Sequence, residues 1–231
     1  MNAFASLGRI LVSVLLLTLP MRGADRTTRF VAQPESKVKI AGQGSMHDWS
    51  VEGKIITGLI EVGPDFPTAP RQELKPGKVE ARVEASIPVT SLKNVDATGK
   101  PFGGKMDTMM HLLLSERTAP NIAYHSEDLV LKSSPKTEAA AYEFASQGSL
   151  VVAGVTNLIS MPVFVTPLGG KKLKITGKIA VKMTDFGIQP PALQSQTDPK
   201  SKTSQEIKLA YDEVTLSFEW LLEAASSAPA K

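Results

Sequence analysis

The chain has 231 residues, 42% of them hydrophobic, with 26 basic and 23 acidic side chains for a net charge of +3. That length suits one all-β domain with a real core, and the small charge surplus excludes a nucleic-acid binder, which needs clustered Lys and Arg. Cysteine is absent, which excludes disulfides, thiolate metal sites, a thiol nucleophile and a lipid-modified N-terminal cysteine.

Residues 1–24 have the layout of an export signal. Arg9 supplies the positive region, Ile10 to Leu19 form an apolar run of ten, Pro20 breaks it, and Gly23 and Ala24 are small. Ten residues fall short of the ~20 that span a bilayer. The reading is a signal peptide removed from a body of residues 25–223, with an uncleaved anchor as the alternative, because Met21 and Arg22 make a poor cleavage site. This predicts a periplasmic or secreted protein. Without its first 24 residues, which hold Arg9, Arg22 and no acid, the chain carries +1.

Period-two alternation then recurs, and it predicts strands over 37–42, 50–62, 78–87, 121–131, 142–153, 158–166, 173–183 and 213–220. The clearest run sets Val79, Ala81, Val83, Ala85 and Ile87 on one face and Lys78, Glu80, Arg82, Glu84 and Ser86 on the other. A strand sends alternate side chains to opposite faces, so one face is apolar and one is wet, as in antiparallel sheets. About eight strands with little helix predict a sandwich or a closed barrel. One segment departs from this pattern. Phe102, Met106, Met109, Met110 and Leu113 follow helical spacing, with Asp107 near the start and Gly103-Gly104 before it. They predict one amphipathic helix of about ten residues. Two loops are long, the proline-rich 63–77 and the polar 189–211. Residues 224–231 have the composition of a disordered tail.

Several stretches, in this order, carry a family resemblance. They are Ser36–Ile40, His47-Asp48-Trp49 followed by Gly53, Met106–Met110 leading to Ala119–Tyr124, Gly148–Thr156, Thr184–Ile188 and Asp212–Leu216. Together, over about residues 29–222, the sequence resembles the YceI-like family of periplasmic polyisoprenoid-binding proteins. The resemblance implies an extended, lipocalin-like, eight-stranded antiparallel barrel with one short helix near its mouth and an elongated apolar cavity for an isoprenoid chain. Loops 63–77 and 189–211 depart from the family pattern and are expected to reshape the mouth.

An apolar strand face by itself is more often filled core than ligand pocket, although a barrel of about eight strands allows either. The methionines likewise read first as a helical plug, with an adaptable wall as the alternative. With the resemblance added, the expected function is to bind or carry a long-chain isoprenoid-type lipid, a quinone or a polyprenyl chain, with no other cofactor. By their faces, the expected ligand-binding residues are Val83, Met106, Met109, Phe144, Val152, Phe164, Ile179, Phe218 and Trp220. His47 and Trp49 are head-group candidates, against the plainer reading of His47-Asp48-Trp49 as a turn whose Asp bonds local backbone. A structural or partner-binding barrel with a filled core is the alternative. A homodimer and transient membrane contact stay open. The three histidines, His47, His111 and His125, belong to no metalloprotease, nucleophile-elbow or phosphate-loop motif. No catalytic or metal-ligating residue is therefore expected, and a hydrolase or metalloenzyme using them ranks last.

Overall fold

The computed structural model describes residues 27–137, 140–195 and 205–225. The signal at 1–24 and the tail beyond 225 lie outside them. The described residues form thirteen strands and one α-helix: β1 (Thr28–Ala32), β2 (Lys37–Gln43), β3 (Asp48–Gly53), β4 (Thr57–Val62), β5 (Gly77–Pro88), β6 (Lys93–Val95), α1 (Lys105–Leu113), β7 (Asn121–Ser133), β8 (Tyr142–Val152), β9 (Val155–Gly169), β10 (Lys172–Lys182), β11 (Ala192–Ser195), β12 (Gln205–Lys208) and β13 (Glu213–Ala224). No described helix is long and apolar enough to cross a membrane.

The alternation in the sequence becomes the wall of a barrel. In β5, Val79, Ala81, Val83 and Ile87 are buried, while Lys78, Glu80 and Arg82 are exposed. β1 and β2 are two halves of one strand, since both run antiparallel to β13, with Phe30 opposite Ala224 and Val38 opposite Phe218. Ser36 mends the break between them. It is buried, and its hydroxyl donates to the Gln33 carbonyl at 3.1 Å and accepts from the Leu221 N–H at 3.1 Å. β3 and β4 are likewise halves of one strand, β3 pairing with β2 and β4 with β1. The order β1/β2, β3/β4, β5, β7, β8, β9, β10, β13 then returns to β1/β2, closing an eight-stranded antiparallel barrel. Closure pairs the edges that an open sheet would leave free for other chains.

The two ends differ. At one, loop 63–77 folds inward as a plug. Phe66 is buried and stacks on Phe144 with ring centroids 5.7 Å apart. The Tyr142 hydroxyl donates to the carbonyl of Gln72 at 2.9 Å and lies 3.3 Å from that of Ala69. This loop joins β4 to the start of β5, whereas the helix follows the other end of β5. The expectation that 63–77 shapes the mouth is therefore corrected: its aromatic and carbonyl groups close the far end.

At the mouth end, β6 pairs with β3, and α1 follows it. Gly103 and Gly104 carry φ of 43° and 79°, a left-handed turn into the helix that side-chain-bearing residues rarely adopt. Helix α1 starts at Lys105, so Phe102 lies before it and is exposed, contrary to its predicted place on the apolar stripe. Segment 189–211 contains the β11–β12 pair. It is tied to the turn after β2, where Ser45 N–H donates to the Lys208 carbonyl at 2.8 Å and Tyr211 N–H donates to the Gln43 carbonyl at 2.7 Å. A Cβ on Gly44 would lie 2.5 Å from the Leu209 carbonyl oxygen, so this contact needs glycine. Two of the stretches that carry the resemblance also meet here, as the Asp212 carboxylate accepts from the Thr184 N–H at 2.9 Å and from its hydroxyl at 2.7 Å. The expected tail begins too early at Ala224, which is the last residue of β13 and pairs with Phe30.

Candidate functional site

The interior is not filled. An upper chamber lies under α1 and holds about 970 Å³ of empty space, counting the part open to solvent. A lower chamber in the barrel waist holds about 760 Å³ on the same measure. Ile122, Leu150 and Leu216 line both, so the two chambers are adjacent and meet at these side chains.

The strands themselves explain the space. Gly177 pairs with Phe218, and a Cβ on Gly177 would lie 2.6 Å from the Phe218 ring. Gly42 pairs with Trp49, and a Cβ there would lie 2.5 Å from the indole. Each aromatic ring lies over a glycine of the neighbouring strand, against the wall. Side chains at those two positions would hold the rings off the wall and toward the lumen. These glycines were legible in the sequence as interruptions of otherwise apolar strand faces, but their aromatic partners were not.

Met106, Met109, Val152 and Trp49 line the upper chamber. Val83, Ile179, Phe218 and Trp220 line the lower one. Two expected residues fall elsewhere. Phe164 is 39% exposed, because its neighbours Val163 and Val165 are the inward pair in β9. Phe144 is buried at the closed end, stacked on Phe66, and lines neither chamber. His47 is exposed in the turn between β2 and β3.

The helix is held across the upper chamber by an anchor that sequence reading missed. The Asp107 carboxylate accepts from the Asn94 backbone N–H and from its side-chain amide, both at 2.8 Å, and Lys93 stands 3.9 Å away. Burial works to raise the Asp107 carboxyl, but the Asn94 hydrogen bonds, with Lys93 and His111 near, outweigh it and hold the group below the usual carboxylate range. His111 Nε2 lies 3.1 Å from the Leu92 carbonyl, a second tie between α1 and the β6 strand. The signal was the one acid in the first turn of an apolar helix; its partner, on another element, was not legible.

Polar groups inside are few. The Tyr124 hydroxyl and Ser146 Oγ share a hydrogen bond of 2.6 Å in the lower chamber, where burial raises the phenol above its ordinary value. The indole N–H groups of Trp49 and Trp220 are buried without a hydrogen-bond partner among the described residues. Nor do the described residues place three or more of His, Asp and Glu where they would hold a metal. Geometry of this kind suits retention of an elongated apolar molecule.

A closed, eight-stranded antiparallel barrel with an apolar lumen and a helix at its mouth is a lipocalin-like binding fold. The sequence matches the YceI-like domain over residues 30–220, and the chain belongs to that family. Similar solved structures include BcnA of Burkholderia cenocepacia, at 17% identity and a TM-score of 0.51, covering 80% of this chain and 95% of that one. Another is a polyisoprenoid-binding domain from Saccharophagus degradans implicated in plant cell wall breakdown, at 11% identity and a TM-score of 0.55, covering 85% and 98%. At such identities the likeness is one of fold. No curated protein matches the sequence.

Proposed function

We propose that this protein binds and carries a long-chain isoprenoid-type lipid, a quinone or a polyprenyl chain, along its two adjacent chambers. The observation that carries the reading is that the two chambers abut, sharing Ile122, Leu150 and Leu216, in an otherwise apolar lumen. Membership of a family with a polyisoprenoid-binding structural neighbour supports it. Burying one five-carbon unit gains roughly 3–4 kcal/mol at ~0.8 kcal/mol per CH₂-sized group. A few units then offset the ~4–15 kcal/mol cost of association. Such binding needs no catalytic group, and the open chambers favour it over a barrel with a filled core. Export to the periplasm, read from Arg9 and the run from Ile10 to Leu19, completes the proposal.

Native mass spectrometry of protein purified from the periplasm, followed by organic extraction, tests it. The expected result is an added mass that extracts as a long-chain isoprenoid. Protein that carries no lipid, and that after delipidation refuses a fluorescent polyprenyl analogue, would overturn the reading.

A further inference from the structure

Trp220 is 3% exposed, lines the lower chamber, and its Nε1–H has no hydrogen-bond partner among the described residues. Buried polar groups are penalised when left unpaired, and native proteins leave few of them so. An indole N–H can only donate, so what completes it must be an acceptor. The Tyr124 and Ser146 hydroxyls in the same chamber bond each other at 2.6 Å. Trp220's strand partner Ile175 and its same-face neighbour Phe218 are apolar. Phe218 shows that a plain aromatic ring serves as wall two residues away, so the distinctive contribution of Trp220 is its N–H.

The position is deep. Trp49 at the mouth pairs with Gly42, which pairs with Val214. Trp220 lies six residues further along β13, about 20 Å at ~3.3 Å per residue. The chamber lining contains no Lys or Arg. A phosphate there would be an unpaired buried charge, and a hydroxyl would bring a donor whose side-chain acceptors in the lining are limited to the Tyr124 and Ser146 oxygens, which are bonded to each other. A carbonyl oxygen, which only accepts, is served by one N–H.

We propose that Trp220 is a ligand-binding residue. Its Nε1–H donates to a carbonyl-type oxygen at the leading end of the lipid, which enters polar end first. The chain then runs back past Phe218 and Leu216 to the chamber under α1. The inference rests on the lipid-carrier reading and adds to it a buried polar end and the residue that holds it.

The protein contains two tryptophans, so an ¹⁵N-labelled sample shows two indole signals, and Trp220→Phe assigns one by its loss. Delipidated protein is titrated with a long isoprenoid methyl ketone and with an isoprenoid hydrocarbon of equal length. The ketone is expected to bind about tenfold more tightly and to move the Trp220 indole signal, while the hydrocarbon leaves that signal in place. Trp220→Phe trims the wall as well as removing the N–H, and is expected to lower the ketone's affinity about tenfold more than the hydrocarbon's, so that the preference for the ketone disappears. Equal binding of both probes with an unmoved Trp220 signal overturns the inference and spares the carrier. So does an equal loss of both probes in Trp220→Phe. If neither probe binds the wild type, the carrier reading falls and takes this inference with it. Should the variant fail to fold by circular dichroism, the wild-type indole shift and probe preference decide.

Discussion

Single residues create the space inside this barrel. Gly177 lets the Phe218 ring lie on the wall, and a methyl group there would meet it at 2.6 Å. Gly177→Ala is expected to push the ring into the lower chamber. Overpacking of this kind costs about 1–3 kcal/mol, and lipid affinity should fall at least about tenfold, or ~1.4 kcal/mol. Chemical denaturation and titration of a fluorescent polyprenyl analogue measure the two effects; unchanged affinity would show that the ring does not border the ligand. Asp107 acts at the same scale. Its carboxyl is depressed in the folded protein, so its contribution to stability is present above the unfolded value near 3.8 and is lost as pH falls through the lower folded value. Asp107→Asn should lower stability by about 1–2 kcal/mol at neutral pH, through loss of charge-assisted hydrogen bonds. That gap between wild type and variant should close in acid below the folded value. Melting curves from neutral pH to about pH 3, bracketing the carboxylate range, check it, and a gap that stays constant would show that the Asp107 charge does not hold α1.

Among elements, the two departures from the family pattern have opposite placements. Loop 63–77 seals the barrel by the Phe66–Phe144 stack and the Tyr142 hydroxyl. Segment 189–211, through β12 and Tyr211, joins the turn between β2 and β3 at the mouth. Phe66→Ala should therefore cost about 3–5 kcal/mol, as buried Phe→Ala changes do. It should leave the affinity of the folded fraction for a polyprenyl analogue within about twofold. Equilibrium unfolding and titration separate these, and a large affinity loss in well-folded protein would bring the loop into the site. Helix α1 belongs to the mouth as well. Its methionines Met106, Met109 and Met110 line the upper chamber, and their unbranched thioether chains suit a wall that conforms to a flexible apolar ligand.

At the scale of the whole molecule, retention by burial and chemistry by titrating groups make different demands on the three histidines. His47 and His125 are exposed, and His111 is tied to the Leu92 carbonyl. Replacing all three by Gln keeps hydrogen-bonding capacity and removes titration near neutral pH. The expected triple variant is folded and binds a long-chain isoprenoid with affinity changed by no more than about tenfold, ~1.4 kcal/mol. Collapse of binding with an intact circular dichroism spectrum would refute retention by apolar burial alone.

The barrel was largely legible because alternation is a local property. The facing of Val79, Ala81 and Val83 follows from backbone geometry that every strand shares, and each of the eight strands read from the sequence is present. The first half-strand β1, the short β6 and the β11–β12 pair were not legible. Each is brief, and each owes its order to partners elsewhere: β13 and β4 for β1, β3 for β6, and for the β11–β12 segment the turn at Ser45. The site divides in the same way. The inward facing of Val83, Ile179, Phe218 and Trp220 was set by period two. The same rule misled at Phe164, where the apolar stripe of β9 belongs to Val163 and Val165, because one residue of register exchanges the two faces. Whether an inward residue borders a cavity or fills the core was decided only in three dimensions. Phe144 meets Phe66 from a distant loop and is core, whereas Phe218 finds Gly177 across the ladder, lies against the wall and leaves the lumen open.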